Sequence, residues 1–265
     1  MTQTKEAAVF NQEDTVKTWD DDYYHPVAVA YYDAAIPAML KELGCNPGDS
    51  VLDAGCGPGV HAIRAADYGC KVTAIDLSTT MLRHAESRAK AAGQAARIDF
   101  RQCDITKPAV DEVFPAVFSW GVIIHVPDAE AALDGLASLV ASGGRLALQI
   151  LNADAFDYRL EKGLRAVFRK PFKEPVDTAL GPGNWYTLGD ERLWVLRFDM
   201  KALDAAMKTR GFTLVTRRTA EFSEIQRRLP GLLRRPLLHL NSIFFHRRIG
   251  TGRAATQIVV YQRDA

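Results

Sequence analysis

Three aspartates and one histidine are the residues best placed to do chemistry in this chain of 265 residues. Asp53 lies inside Val51-Leu52-Asp53-Ala54-Gly55-Cys56-Gly57-Pro58-Gly59, Asp76 ends the apolar run from Lys71, and Asp104 ends the run from Arg97. A carboxylate at the carboxyl tip of a strand can accept hydrogen bonds from vicinal hydroxyls, which suits a ribose. For Asp76 the plainer alternative is an acid that caps a helix. Glycine at every second position, Gly55, Gly57 and Gly59, predicts a tight turn where the main chain can approach a ligand. His61 to Asp67 then reads as a helix whose free N–H groups face whatever sits over the loop. His125 is a candidate base because imidazole titrates near neutrality, and a loop-orienting turn residue is the other reading. Tyr24 is a second candidate base.

The glycine spacing departs from the dinucleotide fingerprint G-x-G-x-x-G. Asp53-x-Gly55-x-Gly57-x-Gly59 instead resembles the first motif of class I S-adenosylmethionine-dependent methyltransferases, D-x-G-x-G-x-G, at all four defined positions. Asp76-Leu77-Ser78-x-x-Met81-Leu82 resembles their second motif, and Val122 to Asp128 is similar to the L-x-H-V-x-D signature of small-molecule methyltransferases related to ubiquinone-biosynthesis enzymes. The resemblance covers about Asp49 to Val140 with specific motifs and the remainder by order of elements. It implies S-adenosyl-L-methionine as cofactor, held by Asp53, Gly55, Cys56, Gly57 and Gly59 in the loop and by Asp76, Leu77 and Met81 after the second strand. It also implies an adenine site at Cys103, Asp104 and Ile105, and a methionine end at Trp120, Gly121 and Val122.

Elements that position these groups follow from periodicity. Strands are expected at Val51 onward, Lys71–Asp76, Arg97–Asp104, Phe114–Ile124, Arg145–Leu151, Phe212–Thr219 and Ala255–Gln262, and helices at Val27–Leu43, interrupted or bent near Pro37, Ala129–Val140 and Phe198–Arg210. The expected fold class is α/β, a Rossmann-like doubly wound, seven-stranded, mostly parallel sheet with an N-terminal helical lid and insertions after strands 5 and 6. By residues this gives a lid at 1–48, a cofactor core at 49–151, a substrate-cover insertion at 152–198, and the rest of the core at 199–265 with a basic insertion at 221–252. Trp19 and His25 in the lid, and Phe156, Tyr158, Trp185 and Tyr186 in the weakly periodic stretch Asn152–Trp194, are expected to face substrate. Packing of the lid aromatics on the sheet is the alternative.

Apolar content of 48% and a net charge of +1 describe a soluble globule and give no reason to invoke nucleic acid. The four cysteines form no C-x-x-C pair and suggest neither zinc nor a disulfide framework. Met1 to Asp14 lacks the apolar stretch of a signal peptide, so a cytoplasmic protein is expected. No Asn-Pro-Pro-Tyr run follows the fourth strand, and no Asp, Asp-Asn grouping suggests a magnesium-dependent catechol methylator. Near-neutral charge conceals polarity: nine arginines against Glu221 and Glu224 give 217–253 about +7. That insertion reads as a helical cover or homodimer face, as a grip on an anionic acceptor, or as peripheral membrane contact through 231–248. The expected function is methylation of an O or N atom of a small organic acceptor. The alternatives are a catalytically silent S-adenosylmethionine-binding protein, or methylation of a lipophilic or RNA acceptor.

Overall fold

The computed structural model describes residues 9–13, 26–170, 172, 174–188, 191–225 and 231–265. Helix α1 (Pro26–Glu42) leads into β1 (Ser50–Ala54), α2 (Val60–Asp67), β2 (Lys71–Asp76), α3 (Thr79–Ala91), β3 (Ile98–Gln102), β4 (Phe114–Trp120), α4 (Ala129–Ser138) and β5 (Val140–Leu151). Then come α5 (Phe156–Val167), β6 (Pro175–Thr178), β7 (Gly181–Leu188), β8 (Glu191–Leu196), α6 (Met200–Thr209), β9 (Phe212–Thr219), α7 (Gly231–Arg247) and β10 (Thr256–Arg263).

Seven strands form one sheet in the order β3-β2-β1-β4-β5-β10-β9. Strands β1 to β5 are parallel, and β10 lies antiparallel between β5 and β9. Parallel strands are covered on both faces, so alternate side chains feed two separate cores. Val51, Phe118 and Val260 pack with Ile36 and Leu40 of α1 and Ala62 of α2. Leu52, Val117 and Val259 turn to the other side and meet Leu133 of α4, Leu203 of α6 and Trp194 of β8. This is the expected Rossmann-like doubly wound sheet, and the hairpin-like pair that closes it is β9 and β10, opened by α7.

The structure corrects several local readings. Strand β4 stops at Trp120, because Gly121 takes φ +69 and Ile123–His125 form a single 3-10 turn; a left-handed residue cannot extend a strand. Strand β5 begins at Val140, paired with Phe114, and its register shifts where Gly143 lies. Helix α1 runs through Pro37 without interruption. The stretch after β5 is ordered as α5 and a three-stranded antiparallel sheet, β6-β7-β8. Its Gly181-Pro182-Gly183 run is strand, and a Cβ on Gly183 would overlap the Trp194 ring; glycine within a strand often marks such close approach.

Several arginines of the basic insertion hold the fold together. The Arg218 guanidinium lies 4.0 Å from the Phe245 ring centre, donates to the Phe245 carbonyl at 3.0 Å and pairs with Glu42 at 3.1 Å. Arg248 reaches the same Glu42 at 2.6 Å, which fixes α7 against α1. No helix among the described residues is long and apolar enough to cross a membrane.

Candidate active site

Past β1 the chain turns through Gly55, Gly57 and Gly59 at φ +86, +51 and +81. The three glycines serve different ends. A Cβ on Gly55 would overlap Val122, so the loops leaving the neighbouring strands β1 and β4 touch there. A Cβ on Gly59 would stand 2.8 Å from that of Ala85, so this glycine lets α2 pack on α3. Gly57 has open space, with nothing within 4 Å of an added Cβ, and its backbone is bare to a ligand. The Gly55 and Cys56 N–H groups both donate to the Ile75 carbonyl, at 2.8 and 2.9 Å, which ties the loop to β2.

Asp76 is pinned across that loop. Its Oδ2 accepts from the Gly57 N–H and its Oδ1 from the Ser78 N–H, both at 2.8 Å, so each oxygen keeps further acceptor capacity. Burial raises its pKa above the ordinary carboxylate range, against the pull of backbone N–H bonds from Ser78, Gly57 and Leu77. Asp104 is fixed by its own turn, Oδ1 accepting from both the N–H and the hydroxyl of Thr106 at 2.8 Å. Asp53 is 1% exposed, and among the described residues neither of its oxygens has a hydrogen-bond partner. Burial, then the charge of Asp76, pushes its pKa well above the usual value.

Asp76, Asp104 and the loop wall a cavity of about 270 Å³. Every predicted cofactor residue lines it except Asp53 and Gly59. Asp53 sits one layer behind, in β1, and Gly59 is a packing glycine. His125 closes the far end: its Nδ1 lies 2.8 Å from the Trp194 carbonyl. A carbonyl only accepts, so Nδ1 carries the hydrogen, and in a neutral ring the acceptor nitrogen is then Nε2. The same bond ties the β4 loop to β8, so the base and the turn reading both have a geometric footing.

Sequence reasoning missed Phe10 and His61, and gave Ser78 only as part of the second motif. The Ser78 hydroxyl accepts from the Met81 N–H at 3.1 Å and donates to the Phe10 carbonyl at 2.7 Å, and Phe10 lines the cavity with its ring 6.2 Å from that of His125. The signal was the apolar pair Val9-Phe10 in a polar terminus. His61 lies between Tyr32 and Trp120, ring centres 4.9 and 5.2 Å away, and also lines the cavity. Burial first, and the Arg64 charge second, lower its pKa to about 3. A histidine in the first turn after a glycine loop could have been flagged.

Tyr24, Trp19 and His25 lie outside the described residues. Phe156, Tyr158, Trp185 and Tyr186 do not line the cofactor cavity. Phe156 is 52% exposed on α5, Tyr158 lines a second cavity of about 740 Å³, and Trp185 packs on Trp194 at 5.2 Å with Arg192 over its ring. Tyr186 follows it on β7.

Residues 51–144 match the family described as methyltransferase domain. A ubiquinone biosynthesis O-methyltransferase of Xanthomonas axonopodis pv. citri is 34% identical over 130 residues, 48% of this chain and 50% of that protein. The chain spans about half the length of the curated relatives it matches. Among solved structures, magnesium protoporphyrin IX methyltransferase from Synechocystis PCC 6803 superposes with a TM-score of 0.64 at 18% identity, over 96% of both chains. A glycopeptide N-methyltransferase superposes with a TM-score of 0.56 at 17% identity, over 92% of this chain and 91% of that one.

Residues 51–144 are therefore a methyltransferase domain of the S-adenosylmethionine-dependent class. S-adenosylmethionine is the cofactor of that class, and the cavity suits it on its own terms. Gly57 offers a bare backbone and Asp76 keeps acceptor capacity for ribose hydroxyls, while Asp53, one layer behind, is a buried acid with no hydrogen-bond partner among the described residues.

Proposed function

We propose that the protein transfers a methyl group from S-adenosylmethionine to an O or N atom of a small organic acceptor. The observation that carries this reading is that Asp76, Asp104 and the open face of Gly57 wall one cavity that ends at Trp120 and His125. The cofactor, when bound, supplies a methyl already activated on a sulfonium. What the chain must add is orientation and exclusion of water, and positioning alone can lower such a barrier by roughly 7–11 kcal/mol. Asp76 and Asp104 would hold the nucleoside, and Trp120 with His61 would form the wall at the reactive end. His125, its Nδ1 hydrogen anchored on Trp194, has Nε2 to take a proton from a hydroxyl or ammonium acceptor. The named relatives include O- and N-methyltransferases, which is consistent with either acceptor atom.

The test is calorimetric binding of donor and demethylated product, then a transfer screen over hydroxyl and amine acceptors. Binding with transfer to some acceptor is expected, and His125→Ala should cut turnover while sparing cofactor affinity. Binding with no transfer to any acceptor would favour the silent binding protein. Equal loss of turnover and affinity in His125→Ala would make that residue a structural turn.

A further inference from the structure

Helix α5 buries none of its residues. Its apolar side chains Phe156, Leu160, Leu164, Val167 and Phe168 fall at intervals of three and four, on one face. They account for five of the 13 exposed large apolar residues described, with Val167 and Phe168 at 75% and 67% exposure. A contiguous patch of this kind on a soluble chain marks an interaction surface.

We propose that α5, with the adjoining face of α7, docks the protein on an anionic membrane surface. Charge selects this occupant. Arg169 and Lys170 follow directly on the end of the stripe, are exposed, and among the described residues enter no ion pair. The acids of the helix are turned to internal use. Glu161 pairs with Arg165 at 2.8 Å, and Asp157 Oδ2 accepts from the Ser223 hydroxyl and the Glu224 N–H. A second copy packed across a two-fold axis would set these cations against themselves.

The surface extends beyond one helix. Ser223 is bonded in turn to Asn241 of α7, whose side chain accepts from the Ser223 N–H at 3.0 Å and donates to its carbonyl at 2.8 Å. On either side of Asn241 stand Leu240 and Ile243, both exposed, and no acid occurs from 225 to 263. Apolar side chains with cations at their margins, on helices too short and polar to span, are the build of an interfacial anchor. The inner edge of the stripe, Leu160, Leu164 and Phe168, also walls the second cavity, which would open it to a lipophilic molecule leaving the bilayer. The docking does not depend on methyl transfer.

The experiment is flotation of the full chain with vesicles of phosphatidylcholine alone or with about one-third phosphatidylglycerol. Binding to the anionic vesicles, weakened by salt, is expected. Arg169→Glu with Lys170→Glu should lower it by about fivefold or more for each cation lost, and Leu164→Ser with Phe168→Ser by at least tenfold. Both variants should keep wild-type S-adenosylhomocysteine affinity and circular dichroism. No binding to anionic vesicles at low salt, equal binding to neutral ones, or wild-type binding by the serine variant would overturn the proposal. So would a homodimer, seen by sedimentation, that the serine substitutions abolish.

Discussion

Asp76 accepts backbone hydrogens, those of Gly57 and Ser78 at 2.8 Å, while burial lifts its pKa, so its charge is held for a ligand rather than by a salt bridge. Ribose hydroxyls donate to the ionised carboxylate, so S-adenosylhomocysteine affinity should fall as acid protonates it, beginning above the ordinary value of about 3.9. A pH series of titrations tests this; an affinity flat through that range would mean Asp76 stays charged or makes no contact. His61 supplies the opposite sign. Its folded pKa of about 3 lies below the unfolded value, so only the unfolded chain binds the proton in between. Stability therefore drops as pH falls from about 6.5 toward 3, by about 3 kcal/mol at pH 4.5. Urea unfolding of His61→Phe should show that acid loss flattened. Asp53→Asn should raise the melting temperature of the ligand-free protein and weaken cofactor binding, because a buried acid without a partner costs the fold and serves a cation. An unchanged affinity would leave Asp53 with no role at the site.

At the scale of elements, the glycine loop separates packing from binding. Gly59→Ala meets both a left-handed backbone and Ala85, and should destabilise by about 2–4 kcal/mol. Gly57→Ala meets only the left-handed strain, about 1–2 kcal/mol, but puts a methyl in the open space before the loop and should weaken the cofactor more than the fold. Unfolding curves and titrations of the two variants should rank oppositely. The loop, the strand-tip acids and the parallel core strands were legible in the sequence because each is a local pattern: alternating glycines, an apolar run, an acid. The end of β4 was not, since Val122 to Ile124 is as apolar as the strand before it and only the positive φ of Gly121 breaks it. Nor was the small sheet, where a Cβ on Gly183 would overlap the Trp194 ring and one on Gly181 would meet the Arg197 carbonyl, contacts that no local pattern announces.

Across the whole molecule, long-range contacts hide from any local reading. Phe10 reaches the cavity through a hydrogen bond to a residue 68 positions away, and His125 is held by a carbonyl 69 positions on. The basic insertion was visible as composition, yet its arginines divide between tasks. Arg217 and Arg218 pair with Asp204 and Glu42, while Arg235 and Arg247 stay on the surface. What unites the chain is one cavity at the carboxyl ends of β1, β2 and β4, bounded by a loop, two acids and a histidine. The direct measurement is calorimetric titration of S-adenosylhomocysteine into the wild type and Asp76→Ala. The account predicts one saturable site in the wild type and a loss of about 1–3 kcal/mol in the variant. An affinity that the substitution leaves unchanged would contradict it.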